Sequence, residues 1–266
     1  MKWKDRIDYK EIIPFLNGFD DDYLNALLQG NKEGIQQLLR VVLRIPDLVI
    51  LKNVYGKSIR MDCYAESLKK RFNVEIQRRN SGAGAHRARF NASLMDAGIS
   101  VKGEDYDELP DTYVIFITEH DIYKAGKPYY EIERVVKTLG IDFNDGSHIL
   151  YVNGEYEGND PIGWLMHDLH CTNPHDMHDG PLKERALYLK ETTEGVRQMS
   201  EIGKMIRNDG IKIGEARGVK KGRNSEKRSV AVKMIAGGES DERIRDYTGL
   251  SEKEIHTLKM NRSDTQ

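Results

Sequence analysis

The chain has 266 residues, and its 41 lysines and arginines nearly balance 43 aspartates and glutamates. This balance excludes the global basic field of a simple nucleic-acid coat, so any nucleic-acid surface is expected to be local. Two cysteines, Cys63 and Cys171, argue against a disulfide framework and fit a reduced compartment. Residues 1–13 lack the apolar core of a signal peptide, and no run reaches the ~18 apolar residues of a membrane span. The expectation is a cytoplasmic protein with no membrane contact.

The first third of the chain predicts two helices followed by a strand. Three successive aspartates at positions 20–22 suit a helix start, where carboxylates accept hydrogen bonds from unpaired N–H groups. Apolar residues then recur at helical spacing up to Leu28 and again between residues 32 and 44. Residues 48–54 read as a buried strand.

Two strand-like segments, residues 58–65 and 72–77, predict a hairpin that turns near residues 66–70. Side chains alternate across a strand, so Glu75 and Gln77 share a face, and the hairpin brings Asp62 onto that face. Two neighbouring carboxylates in a core repel each other, and a divalent cation relieves the repulsion. Oxygen ligands suit Mg²⁺ or Mn²⁺, so this pattern predicts a metal-dependent phosphodiesterase.

Further elements complete an α/β arrangement. Residues 85–96 predict a helix, and residues 112–117 and 148–152 predict buried strands. Because helices separate and follow these strands, the pattern indicates a central sheet flanked by helices.

The amino-acid composition changes after Met199. Between residues 204 and 233 there are ten basic and three acidic residues, and glycine recurs at every fourth position from Gly210 to Gly222. As a helix, this stretch would present a glycine stripe through which two copies of the chain pair. Each glycine costs a helix ~1 kcal/mol relative to alanine, so a linker is an equal alternative. Its lysines and arginines are candidates for salt-sensitive contact with the DNA backbone.

The C-terminal residues predict three short helices, at 228–235, 240–247 and 251–260, with Ser240 and Ser251 as caps. The last two suit either a helix-turn-helix or an interaction module. Five basic side chains would contact DNA if they share one face: Arg243, Arg245, His256, Lys259 and Arg262. The predicted organisation is a core over residues 1–200, a basic glycine-stepped linker or helix over 201–226, and a short-helix tail over 227–266.

Histidines cluster between residues 167 and 178. His167, Asp168, His170 and Cys171 are followed by His175 and His178, which are suitable residue types for zinc. The paired-ligand spacing of a zinc knuckle is absent, and hydrogen bonding explains scattered histidines equally well. This cluster is therefore not part of the predicted site, and its role stays open.

Several blocks of residues, in order, resemble a known family. They are Arg60-Met61-Asp62, residues 74–78, residues 87–90, residues 109–119, residues 145–154 and residues 165–168. Together they are similar to the bacterial PD-(D/E)XK nuclease family transposases, which are related to recombination-promoting nucleases. The resemblance covers roughly residues 20–199 and implies a restriction-endonuclease-like fold, with a mixed central sheet flanked by helices, and metal-dependent DNA cleavage.

The resemblance also implies roles for individual residues. Asp62 and Glu75 are the expected metal ligands, with Asp21 or Asp22 as the acid from the first helix. Gln77 stands where many members of the wider superfamily have lysine, and it can align the attacking water only through its amide. Arg79 and Arg87, together with Arg89, are the arginines expected to supply the missing positive charge.

The expected activity is therefore hydrolysis of DNA phosphodiester bonds with Mg²⁺ or Mn²⁺, in recombination or mobile elements. The alternative is a weakly active or inactive nuclease-like protein that binds DNA or regulates, as Gln77 would permit. The sequence leaves open the DNA preference, the oligomeric state and the biological trigger.

Overall fold

The computed structural model describes residues 9–54, 63–99 and 105–263. The chain divides into two compact units, Met1–Lys204 and Met205–Gln266. None of the described helices is both long and apolar enough to cross a membrane.

Along the described residues of the first unit, three α-helices precede three strands, and a fourth helix precedes five further strands and the last helices. Its helices are α1 (Tyr9–Ile12), α2 (Asp21–Leu28), α3 (Lys32–Leu43), α4 (Ala85–Ile99), α5 (Pro161–His170), α6 (Pro181–Glu191) and the start of α7 (Thr193–Ala236). Its strands are β1 (Lys52–Val54), β2 (Cys63–Glu66), β3 (Lys70–Gln77), β4 (Asp111–Thr118), β5 (Tyr129–Ile132), β6 (Val135–Val136), β7 (Ile141–Asp142) and β8 (Ser147–Asn153).

Six of these strands form one mixed sheet in the order β1-β2-β3-β4-β8-β5. Strands β3, β4 and β8 are parallel, whereas β1, β2 and β5 pair antiparallel with their neighbours. The parallel strands lie in the centre and are buried on both faces, as parallel strands usually are. This mixed sheet with flanking helices confirms the predicted restriction-endonuclease-like α/β fold.

The two faces of the sheet carry separate cores. On one face, Val74, Ile76 and Ile117 pack with buried side chains of α2, α3, α5 and α6. On the other face, Val114 and Phe116 pack beneath α4. Because side chains alternate along a strand, β3 sends Val74 and Ile76 to the first face and Glu75 to the second.

The hairpin prediction is confirmed over its described part. Strand β2 pairs antiparallel with β3, with Cys63 opposite Val74 and Glu66 opposite Arg71. Residues 58–62 of the predicted first strand lie outside the described residues.

The prediction of a strand over residues 48–54 is wrong for its first half. Only Lys52–Val54 pairs as a strand, although Leu48 and Ile50 are buried. Their backbone is held individually: Ile50 N–H donates to Gln36 Oε1 at 2.9 Å, and Leu48 C=O accepts from Arg40 Nε at 2.8 Å. Burial of apolar side chains alone therefore produced the strand-like pattern.

The aspartates at positions 20–22 start helix α2, with Asp20 as its N-cap residue, but the Asp20 side chain accepts no hydrogen bond from an N–H group of the helix. Its carboxylate accepts from Asn17 N–H at 2.9 Å and from Arg78 Nη1 at 2.8 Å. Arg78 also pairs with Glu119, with Nε and Oε2 3.2 Å apart. The Asp20 side chain thus ties the start of α2 to the residues after β3 and β4.

The second unit has its own small core. Helix α7 continues to Ala236, α8 spans Asp241–Thr248 and α9 spans Glu252–Ser263. Their core contains Ala231, Ile244, Leu250 and Ile255. Both predicted caps are confirmed, because Arg243 N–H donates to Ser240 Oγ at 3.3 Å and Glu254 N–H donates to Ser251 Oγ at 3.4 Å.

The glycine-stepped stretch is helical, since it lies within α7. At Gly214, Gly218 and Gly222 a Cβ atom would enter open space. Pairing of two copies along this stripe stays a prediction.

Substitution Leu39→Ala is expected to lower the free energy of unfolding by about 2–5 kcal/mol, because Leu39 is fully buried in the core beneath the sheet. Leu68→Ala is the matched control: Leu68 is 82% exposed, so a change within about 0.5 kcal/mol is expected. Guanidinium denaturation followed by tryptophan fluorescence measures both. Equal destabilisation by the two substitutions would contradict the placement of α3.

Candidate active site

The candidate site is built on the face of β3 that α4 covers. Asn73, Glu75 and Gln77 occupy alternate positions on the strand, and their side chains therefore lie on one face. Helix α4 brings Arg87 and Asn91 to the same place, because residues four apart lie on one side of a helix.

Glu75 is the centre of this cluster. Its side chain is 0% exposed, and it forms a salt bridge with Arg87 Nη2 through Oε2. The Nδ2 groups of Asn73 and Asn91 donate to Oε1 at 3.4 and 3.3 Å. A buried carboxylate is costly unless it is paired and hydrogen-bonded, and these three side chains provide that compensation.

Arg87 connects Glu75 to Gln77. Its Nη1 group donates to Gln77 Oε1 at 3.3 Å and to the carbonyl oxygen of Gly82 at 3.0 Å. A Cβ atom at position 82 would collide with Gln77 Oε1, so a larger residue there would displace the Gln77 amide. The Arg87 side chain is 37% exposed, so its guanidinium reaches from the surface to the buried carboxylate.

One buried oxygen in the cluster is orphaned. Asn73 Oδ1 has no hydrogen-bond partner among the described residues. An unsatisfied buried acceptor costs free energy, so its presence beside Glu75 calls for an explanation. Carboxylate and amide oxygens are ligands that Mg²⁺ and Mn²⁺ favour, so these two side chains fit such an ion.

The other predicted acidic ligands are not part of the described Glu75 cluster. Asp62 and the side chain of Asp21 lie outside the described part of the chain, and Asp22 is half-buried on α2. Helix α2 packs on the face of the sheet opposite to Glu75, through Tyr23 and Leu24. The assignment of Asp21 or Asp22 as a further metal ligand therefore stays a prediction.

The arginines after β3 also differ from each other. Strand β3 ends at Gln77, and a 3₁₀ turn follows at Asn80–Gly82, so Arg79 does not continue the strand face. Both Arg79 and Arg89 are exposed, whereas Arg87 contacts Glu75 and Gln77. The roles of Arg79 and Arg89 stay predictions.

Sequence reasoning missed Asn73 and Asn91. Both positions carried a usable signal, because Asn73 precedes Glu75 by two residues on a strand and Asn91 follows Arg87 by four on a helix. Polar residues at these spacings on a strand and on the helix that covers it indicate a buried polar network.

The predicted histidine cluster separates into three parts. His167 and His178 both contact Asp168, with His178 Nδ1 2.8 Å from Asp168 Oδ1. His170 instead lies 3.1 Å from the Gly154 carbonyl oxygen, and His175 lies 2.6 Å from Glu191 Oε1.

Comparison with protein families matches residues 21–155 to the PD-(D/E)XK nuclease family transposase family. This match covers half of the chain and contains the whole Glu75 cluster, so the chain belongs to that family. It ends before residues 165–168, which the sequence resemblance had included. No curated protein and no solved structure matches the chain at a significant level.

Substitution Arg87→Met is expected to lower the free energy of unfolding by about 3–5 kcal/mol, because it leaves the buried Glu75 carboxylate without its cation. Arg89→Met, on the exposed side of the same helix, is the control and is expected to have little effect. The double variant Glu75→Gln/Arg87→Met should recover part of the loss. Denaturant unfolding of the natural protein, Glu75→Gln, Arg87→Met and the double variant measures the coupling, and strictly additive losses would contradict the pair.

Proposed function

We propose that this chain is a divalent-metal-dependent DNA endonuclease that hydrolyses phosphodiester bonds, in recombination or mobile elements. Its family supports a nuclease-like function and a DNA substrate. The single observation that carries the proposal is the fully buried Glu75 carboxylate, with Arg87 and the orphaned Asn73 Oδ1 beside it.

Glu75 and Asp62 are the proposed ligands of Mg²⁺ or Mn²⁺, with Asn73 Oδ1 as an additional oxygen donor. The β2–β3 pairing reaches Cys63 opposite Val74, and Asp62 and Glu75 are the next residues along the two segments. When bound, such an ion polarises a phosphoryl oxygen and lowers the pKa of a coordinated water.

Gln77 and Arg87 supply what the protein itself contributes to the reaction. Gln77 Oε1 accepts from Arg87, so its amide donates through Nε2, and we assign this group to orient the attacking water. The Arg87 guanidinium is planar and permanently charged, which suits stabilisation of charge on a phosphate in the transition state. Arg87 thereby takes over part of the role that a lysine has in the wider superfamily.

The remaining assignments rest on the sequence alone. This proposal includes three assignments that no contact in the structure supports. They are Asp21 or Asp22 as a further metal ligand, Arg79 as a phosphate contact, and pairing of two copies of the chain through α7. A cytoplasmic location likewise stays a prediction.

Incubation of the full-length protein with supercoiled plasmid and Mg²⁺ or Mn²⁺ is expected to produce nicked DNA, and EDTA is expected to prevent it. Glu75→Gln removes the carboxylate charge and should abolish nicking, and Gln77→Ala should slow it by about 10²-fold because one oriented group is lost. Glu131→Gln, at an exposed carboxylate on β5, is the matched control and should cut as the natural protein does.

Nicking that survives Glu75→Gln would refute the assigned site. DNA retention without any nicking, with either metal ion, would instead favour the nuclease-like binding or regulatory protein. Circular dichroism of each variant separates loss of chemistry from loss of fold.

The second unit offers a local basic surface for DNA. On α7, Lys220, Lys221 and Arg228 line a groove of about 500 Å³ together with Asn224 and Ser225. Such a groove supports sequence-independent contact with phosphates.

The basic residues of α8 and α9 are largely engaged with acids of the same unit. Arg243 pairs with Glu239 at 3.0 Å, Arg245 pairs with Glu252 at 3.3 Å, and Lys259 pairs with Asp241. These pairs are closer than the 4.0 Å contact between Arg228 Nη2 and Glu254 Oε1, so we assign the phosphate contacts to the groove on α7.

Changing Lys220, Lys221 and Arg228 to glutamine is expected to weaken DNA binding and to lower the slope of log K against log salt by about 0.9 for each lost contact. Changing Arg243, Arg245 and Lys259 to glutamine removes the same formal charge and should have a smaller effect. Fluorescence anisotropy with duplex DNA in EDTA, over a series of salt concentrations, measures both. The reverse order of effects would favour the helix-turn-helix as the DNA-binding element.

A further inference from the structure

A second polar cluster lies outside the residues that match the family. A cleft of about 740 Å³ is formed by the loop after β8, helix α5 and the segment that follows it. Its lining includes Tyr156, Trp164, Met166, His167 and His178. Nothing in the nuclease proposal uses this cleft.

The backbone brings the cleft walls together closely. Asp160 caps α5 by accepting from the N–H groups of Ile162 and Gly163 at 3.0 and 2.9 Å. At Gly163 a Cβ atom would collide with the carbonyl oxygen of Gly158. The start of α5 is thereby held against the loop, and the end of α5 carries the polar cluster.

Asp168 is the buried member of that cluster. Its side chain is only 3% exposed, and its Oδ1 atom accepts from His178 N–H at 3.0 Å. The same oxygen lies 2.8 Å from His178 Nδ1 and 3.3 Å from His167 Nδ1. The histidines are about half exposed, with 54% for His167 and 48% for His178, so they face the cleft while the carboxylate lies behind them.

The partners of the Asp168 carboxylate differ from those of Glu75. In the described part of the chain, the two side chains that pair with it are these histidines, and no lysine or arginine forms a salt bridge with it. Glu75, by contrast, has an arginine. A buried carboxylate favours a cationic partner, and the C-terminal end of α5 favours a cation at the same place.

The spacing of the donor atoms suits a metal ion. One donor atom from each of His167, Asp168 and His178 can be chosen so that all lie within 4.8 Å of one another. Ligands at 2.0–2.1 Å from a four- to six-coordinate ion are separated by about 2.9–3.4 Å. The two histidine–aspartate distances, 2.8 and 3.3 Å, are already close to these values.

We propose that His167, Asp168 and His178 bind a divalent transition-metal ion, Zn²⁺, at the wall of the cleft between α5 and the loop after β8. Two imidazoles and one carboxylate are nitrogen and oxygen donors typical of zinc sites that leave a position for water or another ligand. The adjoining cleft holds that position. This site differs in its ligand types from the oxygen-rich Glu75 cluster.

Cys171 is not a ligand of this ion. Its Sγ atom lies near the His167 ring, 3.7 Å from Nδ1, but does not belong to the group of mutually close donors. Neither His170 nor His175 belongs to the cluster, because each has another partner.

The test is a metal titration of the full-length, untagged protein after treatment with a chelator. Isothermal titration with Zn²⁺ is expected to show one equivalent bound, and Zn²⁺ should raise the melting temperature. Titration with Co²⁺ should give visible absorption of a site with nitrogen and oxygen ligands, without the near-ultraviolet band of a cobalt–thiolate bond.

Two variants remove ligands from the exposed side of the cluster. His167→Ala and His178→Ala are each expected to weaken Zn²⁺ binding by at least about 10²-fold, since even second-shell losses cost 10–100-fold. His175→Ala and Cys171→Ser are the matched controls and should bind as the natural protein does. Melting of the metal-free variants shows whether each is folded. If His178→Ala does not fold, His167→Ala alone provides the test.

The proposal is overturned if no stoichiometric Zn²⁺ binding occurs, if binding persists in the folded ligand variants, or if His175→Ala loses it equally. Glu75→Gln should retain full Zn²⁺ binding while it abolishes nicking. Failure of the nuclease proposal and failure of the zinc proposal are therefore observed separately.

Discussion

The negative charge of a carboxylate that is fully buried on a central strand must be compensated by side chains of the helix packed over it. This requirement determines how β3 and α4 fit together in the first unit. Glu75 lies on β3 between the antiparallel strand β2 and the parallel strand β4, and helix α4 supplies the arginine and the asparagine that it needs. The 3₁₀ turn after β3 closes the arrangement, because the Gly82 carbonyl oxygen holds the same arginine. Strand, turn and helix therefore depend on one buried ion pair, and the proposed chemistry uses the same groups.

Much of this core followed from periodicity. Alternation along residues 72–77 placed Glu75 and Gln77 on one face, and the hairpin register agrees over its described residues. The same reasoning failed at residues 48–51, where buried side chains belong to a segment that is held by side-chain hydrogen bonds. Periodicity reports burial, and it reports strand pairing only when a neighbouring strand is present.

Contacts between distant parts of the chain were harder to predict from the sequence. Arg87 was among the expected site residues, but nothing in the sequence distinguished it from Arg89 except position on the helix. Asp168 joins histidines on both sides of the end of α5, and only the folded backbone separates these from His170 and His175. Likewise the acidic partners of Arg243 and Arg245 became visible only with the packing of the short helices.

The two outer strands of the six-stranded sheet have a further consequence. Strand β1 has three residues and carries Lys52, and β5 has four and carries the exposed Glu131. Short, charged margins offer few free backbone groups in register to a second molecule, and natural β-proteins use them to avoid aggregation. Over the residues that the structure describes, the two margins of the sheet are thus poorly suited to strand addition from one molecule to the next.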